Sequence, residues 1–395
     1  MGKALLVIVL GFSTIFSSVL FNMSSSQVGS SQHLVAQYEK RIVRDVAESV
    51  TNVASSNLYQ DFNWQSGYSN KSLSGAGYSV AITDITGDST RETKKIQVKT
   101  LATFAGHVDS SIAIFMQPAY SYYYFYLNNW PAALDFATGD TVTAPLHSND
   151  RMRVSGSPVF LGKVSSSSNT FLGVLGGDTP KFYGGVEFGT QDIPLPDLTA
   201  ITNEALAGGH VFNSEVWLRF NGDGTYDYST DNWGSFLTES IANYNGTIIT
   251  TVQDIHVEGT VDGEVTVIAN RDIFIEDDIV YAANPITNPN CNDYLGLIAR
   301  HRFRIVENAA NSTDVVIHAA IIARHDEIVV TNYSTGGPWG TLTIIGSIAV
   351  NDYLPVGTAT PTGYVLNHIY DVRLRNNTPP YFPRLSRVEQ LFRSN

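Results

Sequence analysis

The stretch that decides the architecture lies near the start of the chain, where residues 4–23 read ALLVIVLGFSTIFSSVLFNM. Lys3 precedes this stretch, and the next Asp, Glu, Lys or Arg is Glu39. As an α-helix, about 20 residues rise roughly 30 Å, the thickness of the hydrocarbon core of a bilayer. The serines and threonine between 13 and 18 are tolerated, because their hydroxyls can hydrogen bond back to helix carbonyls. We therefore predict a membrane-spanning helix.

The charge beside this stretch predicts its orientation. Positive residues favour the cytoplasmic side, so Lys3 places the N-terminus in the cytoplasm and the remainder of the chain outside. Two other interpretations of the same hydropathy stay open. One is a plain signal anchor. The other is a cleaved secretory signal, for which the small residues between 24 and 31 offer only a weak cleavage site.

The following segment predicts a continuation of the same helix with one apolar side. Residues 27–58 contain no proline, and Gly29 weakens a helix without necessarily breaking it. Apolar residues recur at helical spacing while charged residues occupy the other side. The chain is thus predicted to begin with one long helix over 1–60, apolar all round in its first half and amphipathic in its second. The apolar positions of the second half are Val35, Tyr38, Ile42, Val46, Val50, Val53 and Leu58.

The composition excludes several classes of protein. Hydrophobic residues make up 43% of the 395 residues, which excludes general disorder. Lys and Arg total 24 against 37 Asp and Glu, so the formal net charge is −13. Nucleic acid is not an expected partner, since binding phosphates demands clustered basic residues. Cys291 is the only cysteine, which excludes an intrachain disulfide and a Cys-rich zinc site.

The rest of the chain is predicted to be β-rich. Alternating Val, Ile and Thr indicate strands at 78–85, 95–104 and 112–116, after a loop rich in Ser, Gly, Asn and Tyr over 63–79. These strands belong to a predicted β-rich head with turn motifs, which we assign to residues 61–240.

Short apolar alternations bounded by Gly, Asn or Asp follow from Thr247 onward. Val265 and Val267 are followed by Ile273 and Ile275, about eight residues later. Units this short bury their apolar face only by stacking. We predict a β-solenoid or β-helix over 241–383, with a β-sandwich as the alternative, and a short amphipathic tail over 384–395. The predicted fold class is a long N-terminal α-helix with a membrane-spanning first half, followed by an all-β head ending in a β-solenoid.

An aromatic cluster between residues 120 and 130 has two interpretations. Tyr122, Tyr124, Tyr126 and Trp130 are candidates for a ligand surface that stacks on glycans. The same rings also suit a core, because aromatic side chains bury large areas while Tyr keeps a polar end.

Two places suggest weak metal sites. Asn221, Asp223, Thr225 and Asp227 offer oxygens at the spacing of part of a calcium loop, without the closing glutamate of an EF-hand. A tight Asn-Gly or Asp-Gly hairpin explains the same residues without Ca²⁺. His147 is a further candidate ligand, although a single His between turns is more often hydrogen bonded. No other cofactor is expected.

Enzymatic motifs are missing from the sequence. It contains no nucleophile elbow, no His-Glu-x-x-His zinc motif and no phosphate-binding Walker loop. The remaining enzymatic interpretation is a polysaccharide-active β-helix, with candidate groups at 276–278, 300–302 and 324–326. Solvated charges at strand ends explain these groups equally well. We expect that the protein is not an enzyme.

Several motifs resemble one bacterial family. The N-terminus MGKALLVI, residues 1–8, is similar to that of PilX-like proteins, which are type IV minor pilin-like surface proteins with an uncharacterised β-rich C-terminal domain. The family signature also has counterparts here, with Ala144 in place of its first glycine. The remaining matching stretches are GDTV (139–142), PLHSN (145–149), MRVSGSPVFLG (152–162), VTVIANRDIFI (265–275), LGLIA (295–299), GTLTIIGS (340–347), YDVRL (370–374) and PPYFP (379–383).

The resemblance implies a structural, pilin-like or pseudopilin-like subunit of a type IV pilus or related secretion filament. Its prepilin peptidase would cut after Gly2 and leave Lys3 as the first residue. Two features depart from the pattern: no basic residue precedes Gly2, and Val7 stands where major pilins carry an acidic residue. Membrane and filament packing would involve Leu5, Leu6, Ile8, Leu10, Phe12, Ile15, Phe16 and Leu20.

The resemblance also implies partners and a location. The partners would be the membrane, other pilin-like subunits or components of a secretion apparatus. The chain would lie in the inner membrane before assembly, with its head in the periplasm or outside the cell, and at the cell surface afterwards. The alternative is a membrane-anchored adhesin or glycan-binding protein.

Overall fold

A computed structural model describes residues 2–132, 134–335, 337–358, 360 and 362–394. Within them the chain forms two α-helices, α1 (Gly2–Gln60) and α2 (Thr199–Gly208), and thirty β-strands. The strands up to the start of α2 are β1 (Tyr68–Leu73), β2 (Ala76–Asp84), β3 (Lys94–Phe104), β4 (His107–Gln117), β5 (Phe125–Leu127), β6 (Phe136–Ala137), β7 (Thr141–Val142), β8 (Leu146–Ser148), β9 (Arg153–Ser155), β10 (Val159–Phe160), β11 (Val164–Ser166), β12 (Leu172–Gly173), β13 (Lys181–Phe182) and β14 (Val186–Phe188).

The strands after α2 are β15 (His210–Phe212), β16 (Val216–Asn221), β17 (Thr225–Ser229), β18 (Leu237–Ser240), β19 (Thr247–Thr250), β20 (Ile255–Val261), β21 (Glu264–Ala269), β22 (Ile273–Tyr281), β23 (Tyr294–Ala299), β24 (Phe303–Ile305), β25 (Val315–Ala323), β26 (Ile328–Val330), β27 (Pro338–Val350), β28 (Gly357–Thr358), β29 (Thr362–Tyr370) and β30 (Glu389–Ser394).

The chain divides into two compact units. The helix unit consists of the described residues of 1–85, 95–116 and 388–395, and the ladder unit consists of those of 86–94 and 117–387. The compact units therefore differ from the predicted domains, which were a head over 61–240, a solenoid over 241–383 and a tail over 384–395. The predicted tail contains β30, which returns to the sheet of the helix unit.

The helix unit begins with α1, an uninterrupted helix of 59 residues. Two hydroxyls in its apolar half bond back to the helix backbone, as the sequence predicts. Thr14 Oγ1 donates to the carbonyl of Leu10 at 3.1 Å, and Ser18 Oγ donates to that of Ile15 at 2.9 Å. The polar groups of these side chains are thus satisfied within the helix itself.

The sheet of the helix unit is antiparallel, with strand order β1-β2-β3-β4-β30. The prediction of a loop over 63–79 is wrong in part, because β1 lies inside that stretch and pairs with β2. Ser74 and Gly75 both have positive φ, 53° and 83°, and join the two strands as a two-residue hairpin turn. The strand itself reads YSNKSL and lacks the β-branched alternation that usually indicates a strand.

The second half of α1 packs on this sheet. Its buried side chains form one hydrophobic cluster with strand residues such as Ile96, Val98 and Phe115. The helical spacing of the apolar positions predicts this buried face. The buried residues of α1 are Val43, Val46, Ala47, Val50, Thr51, Ala54, Ser55 and Leu58.

The ladder unit is built around ten parallel strands. Their order of hydrogen bonding is β14-β11-β8-β5-β27-β25-β23-β21-β19-β15. Two further parallel series are β16-β20-β22-β24-β26 and β22-β25-β27-β29. Alternate residues of these strands face a continuous hydrophobic core. The chain thus continues after α1 and its sheet as a large β-rich domain.

The apolar pairs that lie about eight residues apart in sequence were expected to stack directly on one another, and they do not. Val265 and Ile273 lie on consecutive strands, β21 and β22, which belong to different series. Val265 pairs with Leu295, and Ile273 pairs with Phe303. The chain therefore turns between consecutive strands and reaches the stacked position only on a later strand.

The chain builds the ten-strand ladder as two arms. The first arm runs from β5 outward to β14, and the second runs from β15 back to β27, which pairs with β5. Residues 189–209, which include α2, connect the arms, and the first part of this connection contacts both arms. Tyr126 Oη donates to the carbonyl of Ile193 at 2.7 Å, and Arg324 Nε donates to that of Pro196 at 2.7 Å. The two arms thus meet in the middle of one ladder.

Candidate membrane and assembly segment

The first half of α1 exposes its apolar side chains on every side. Leu5 is 67% exposed, Phe12 71% and Phe21 73%, and none of the most apolar 18-residue window of α1 is buried. Among the described residues, α1 is the one helix that is long and apolar enough to cross a membrane, by length and composition. The residues predicted for membrane and filament packing are all exposed: Leu5, Leu6, Ile8, Leu10, Phe12, Ile15, Phe16 and Leu20.

The second half of α1 is fixed to the rest of the helix unit. Thr51 Oγ1 donates to Thr100 Oγ1 at 2.7 Å, and Tyr59 meets Phe115 edge to face with ring centroids 5.6 Å apart. Each fully buried aliphatic side chain contributes about 1.5–3 kcal/mol of transfer free energy. The second half of α1 is thus packed within the helix unit, whereas its first half is exposed.

The predicted cleavage position lies at the start of the helix. Gly2 is the first residue of α1, and both Gly2 and Lys3 are exposed. A Cβ atom added at Gly2 meets no other atom within 4 Å. Val7 is 68% exposed. The geometry leaves the peptide after Gly2 accessible, while cleavage itself stays a prediction.

The aromatic candidates for a ligand surface are core residues. Tyr126 has no exposed surface, Tyr124 is 8% exposed and Trp130 is 7% exposed, while Tyr122 is partly buried against the same core. Trp130 Nε1 donates to the carbonyl of Leu134 at 2.7 Å. The interpretation as a glycan-stacking surface is therefore corrected: three of the four rings offer no open face.

The candidate calcium residues form a β-hairpin between β16 and β17. Asp223 Oδ1 accepts from the backbone and hydroxyl of Thr225, and Asn221 Nδ2 donates to Asp227 Oδ1 at 3.2 Å. The Thr225 bonds lower the pKa of Asp223. Within the part of the chain that the structure describes, no group of three or more His, Cys, Asp or Glu is placed to hold a metal ion. Calcium binding here stays a prediction.

His147 is buried and hydrogen bonded. Its Nδ1 lies 2.8 Å from Ser165 Oγ and its Nε2 lies 2.9 Å from Asn149 Oδ1. The ring also stacks on Tyr126 with centroids 5.9 Å apart. Burial lowers the pKa of His147 to about 4, so the imidazole is neutral near pH 7. Both ring nitrogens are engaged in the core.

The three charged groups considered for catalysis have structural partners. Asp278 Oδ1 accepts from the backbone N–H of Val316 at 2.7 Å. Arg302 Nε lies 3.5 Å from Asp326 and 3.3 Å from Glu327. The residues 300–302 and 324–326 are adjacent because they follow β23 and β25, neighbours in the ladder. This arrangement fits charges that neutralise one another at the turns.

Sequence reasoning missed a cluster on the outer face of the second series of strands. His256 lies between Trp217 and Phe274, with ring centroids 4.7 Å and 4.6 Å away and nearly parallel planes. Its Nδ1 is 2.5 Å from Glu276 Oε1, and its Nε2 is 3.0 Å from Glu215 Oε1. These residues are far apart in sequence and become neighbours only through the register of β16, β20 and β22.

The charge of His256 is set by opposing effects. Burial by itself lowers its pKa, while hydrogen bonds and charges from Glu276 and Glu215 raise it, and the net direction is upward. The imidazolium form is therefore favoured between the two carboxylates.

Comparisons with known proteins add a structural similarity. No protein-family model and no curated protein matches this chain. Among solved structures, the chain is similar to that of the competence-associated pilin ComZ from Thermus thermophilus, with a TM-score of 0.32 and 10% sequence identity. The similarity covers 89% of this chain and 97% of that chain. At this TM-score we infer neither fold nor function from it.

Proposed function

We propose that the protein is a structural, pilin-like or pseudopilin-like subunit that assembles through the first half of α1 into a type IV pilus or related secretion filament. The observation that carries the proposal is the contrast within α1. Its first half exposes large apolar side chains on every side, and its second half is buried in the helix unit. Apolar surface costs about 25 cal/mol for each Å² left in water. Such a segment therefore needs a bilayer or equivalent helices around it.

The mechanism we infer is assembly without chemical turnover. Before assembly, the first half of α1 lies in the inner membrane with Lys3 on the cytoplasmic side. In the filament, the same residues pack against α1 of other subunits by van der Waals contact. Gly11 and the small side chains at Ser13 and Ser17 favour close approach, because Ser13 and Ser17 are one helical turn apart. Other pilin-like subunits or secretion-apparatus components are the proposed partners.

The remainder of the chain is the part that we expect to be displayed outside the inner membrane, first in the periplasm and then at the cell surface. The net charge of −13 keeps such a surface soluble. We also infer that the ladder unit is a β-solenoid. The parallel, in-register pairing of β19, β21 and β23 supports this, since solenoid repeats stack through such ladders.

The mass of the N-terminal peptide tests the proposal. The full-length chain is expressed in a bacterial host that has a prepilin peptidase and in a matched host that lacks it, and the peptide is isolated from membranes. We expect a peptide that begins at Lys3, seen only when the peptidase is present. An intact N-terminus in both hosts would support a plain anchor and overturn the proposal. A start between residues 24 and 31 would instead indicate a cleaved secretory signal.

A further inference from the structure

A cavity of about 260 Å³ opens in the ladder unit. It lies beside the loop that follows β24 and the first residues of β27 and β29. Aliphatic side chains, including Ile305 and Val330, line its inner part. Pockets for drug-sized ligands are about 300–1,000 Å³, so this cavity suits a single small ring.

One wall of the cavity is aromatic. Trp339 and Tyr364 meet nearly edge to face, with ring centroids 5.5 Å apart and planes at 72°. Tyr364 is 4% exposed, and its hydroxyl donates to the backbone carbonyl of Asn311. Trp339 is only half-buried. Tyr364 therefore fixes the wall, and the indole of Trp339 is the ring available to a ligand.

The polar groups lie beside this wall. Glu307 is exposed, and its Oε2 accepts from Asn332 Nδ2 at 2.7 Å, which orients the carboxylate. Asn308 is held by its Nδ2, which donates to the carbonyl of Glu276 at 2.8 Å. Ser312 adds an exposed hydroxyl. A carboxylate, an amide and a hydroxyl thus border one cavity.

Asn311 provides an acceptor that the protein leaves unpaired. Its Nδ2 donates to the carbonyls of Ile275 and Val306, both at 2.9 Å, so the orientation of the amide is fixed. Its Oδ1 is buried and has no hydrogen-bond partner among the described residues. An unpaired buried acceptor destabilises the fold. Because this oxygen has almost no accessible surface, Asn311 shapes the cavity wall and is not assigned a bond to a ligand.

We propose that this cavity binds one neutral hexopyranose unit of a glycan. The C–H face of the sugar ring lies on the indole of Trp339, and the sugar hydroxyls donate to Glu307. Glu307 is the one acidic side chain among the described lining residues, and none of them is basic, which disfavours an acidic sugar. A cage for a quaternary ammonium group needs several open aromatic faces, and Tyr364 is almost fully buried. The chemistry therefore favours a neutral polyol.

The test uses the detergent-solubilised full-length chain. Saturation-transfer NMR is recorded with the methyl pyranosides of glucose, galactose and mannose, with choline as the cationic probe. We expect saturable binding of at least one hexoside, and a loss of affinity of about tenfold or more in Trp339→Ala. Glu307→Gln should weaken binding severalfold, because a neutral amide accepts hydroxyl donors less strongly.

The matched control is Trp233→Ala, since Trp233 lies on the loop between β17 and β18 and contacts Arg219. It should bind as the wild type does. Trp339→Phe separates folding from binding, because it keeps a ring in the wall and should retain part of the affinity. No saturable hexoside binding by the wild type, equal binding by Trp339→Ala, or a preference for choline would each overturn the proposal. None of these results affects cleavage after Gly2, so the proposed function is tested separately.

Discussion

Asn128 Nδ2 donates to Asn351 Oδ1 at 2.8 Å, although one residue follows the first strand of the first arm and the other follows the last strand of the second arm. Asn149 Nδ2 in turn donates to Asn128 Oδ1 at 2.8 Å. The three amides lie directly after β27, β5 and β8, which are neighbours in the ladder. They therefore form a ladder of side-chain hydrogen bonds across the place where the two arms meet.

The first prediction concerns this amide ladder. Asn128→Ala removes the middle amide, so Asn351 Oδ1 loses its donor and Asn149 Nδ2 keeps only its bonds to Tyr126 and to the carbonyl of Ile193. We expect a loss of about 1–3 kcal/mol in the free energy of unfolding. Chemical denaturation of the full chain measures it. Asn129→Ala is the control, because Asn129 is exposed and its backbone bond to Asn351 survives the change. Equal losses in the two variants would contradict the prediction.

The second prediction concerns the membrane segment. Asp costs about 2.5–3.5 kcal/mol at the centre of a membrane helix. Leu10→Asp and Ile15→Asp, combined in one chain, should therefore abolish insertion, while each alone should reduce it. Alkaline extraction of membranes separates inserted from peripheral protein.

Val365→Asp is the control for this experiment, because Val365 is 68% exposed in the ladder unit and lies outside the segment. It should extract like the wild type. Retention of the double variant in the membrane would show that the first half of α1 is not what anchors the chain.

The elements that depend on local pattern are readily predicted from sequence. The long helix follows from an apolar run and from apolar positions at helical spacing, both visible within residues 4–58. The strands at 78–85 and 95–104 follow from alternation of β-branched residues. β1 was missed because its stability comes from pairing with β2, and its own side chains carry little signal.

Features that depend on which strands pair with one another cannot be predicted from local sequence patterns. Phe125 pairs with Ile348, and nothing near either residue indicates the other. The ring stack around His256 has the same origin. The aromatic cluster was placed correctly in sequence, but whether Tyr126 faces the core or the solvent depends on which strands flank it. The cavity at Trp339 likewise combines Asn311 and Tyr364 from separate strands and loops.

The third prediction concerns the buried half of α1. Leu58 has no exposed surface, so Leu58→Ala leaves a cavity and should cost about 2–5 kcal/mol in the stability of the helix unit. Val53→Ala is the control, because Val53 is 54% exposed on the same helix and should change stability by no more than about 0.5 kcal/mol. Hydrogen exchange of the β2 and β3 amides reports the helix unit separately. Similar exchange in both variants would contradict the packing described here.

The fourth prediction is a loss of stability in acid. Burial lowers the pKa of His147 to about 4 and that of His368 to about 3, whereas an unfolded histidine titrates near 6.5. Below about pH 6.5 the unfolded chain binds protons that these folded side chains do not, so stability falls as pH decreases toward 4. Each histidine contributes roughly 3 kcal/mol to this fall.

Replacing the buried histidines should flatten this dependence. His147→Gln keeps hydrogen-bonding capacity and should reduce the slope of unfolding free energy against pH between 6.5 and 4, whatever its effect at neutral pH. His33→Gln is the control, because His33 is exposed on α1. An unchanged slope in His147→Gln would mean that His147 is not the group that resists protonation.

The fifth prediction has the opposite sign and concerns His256. Although burial opposes it, the hydrogen bonds and charges of Glu276 and Glu215 raise the pKa of His256 above its unfolded value. Its stabilising effect is therefore complete below about pH 6.5 and is lost as pH rises through the raised folded value. His256→Gln should remove this loss of stability above pH 6.5. It should not change the fall in stability below pH 6.5 that the buried histidines cause.

Because the two effects lie on opposite sides of about pH 6.5, unfolding free energies measured at pH 5, 6.5 and 9 separate them. If His256→Gln flattened the acid side instead, the imidazole would be neutral in the fold and the two carboxylates would not hold its proton.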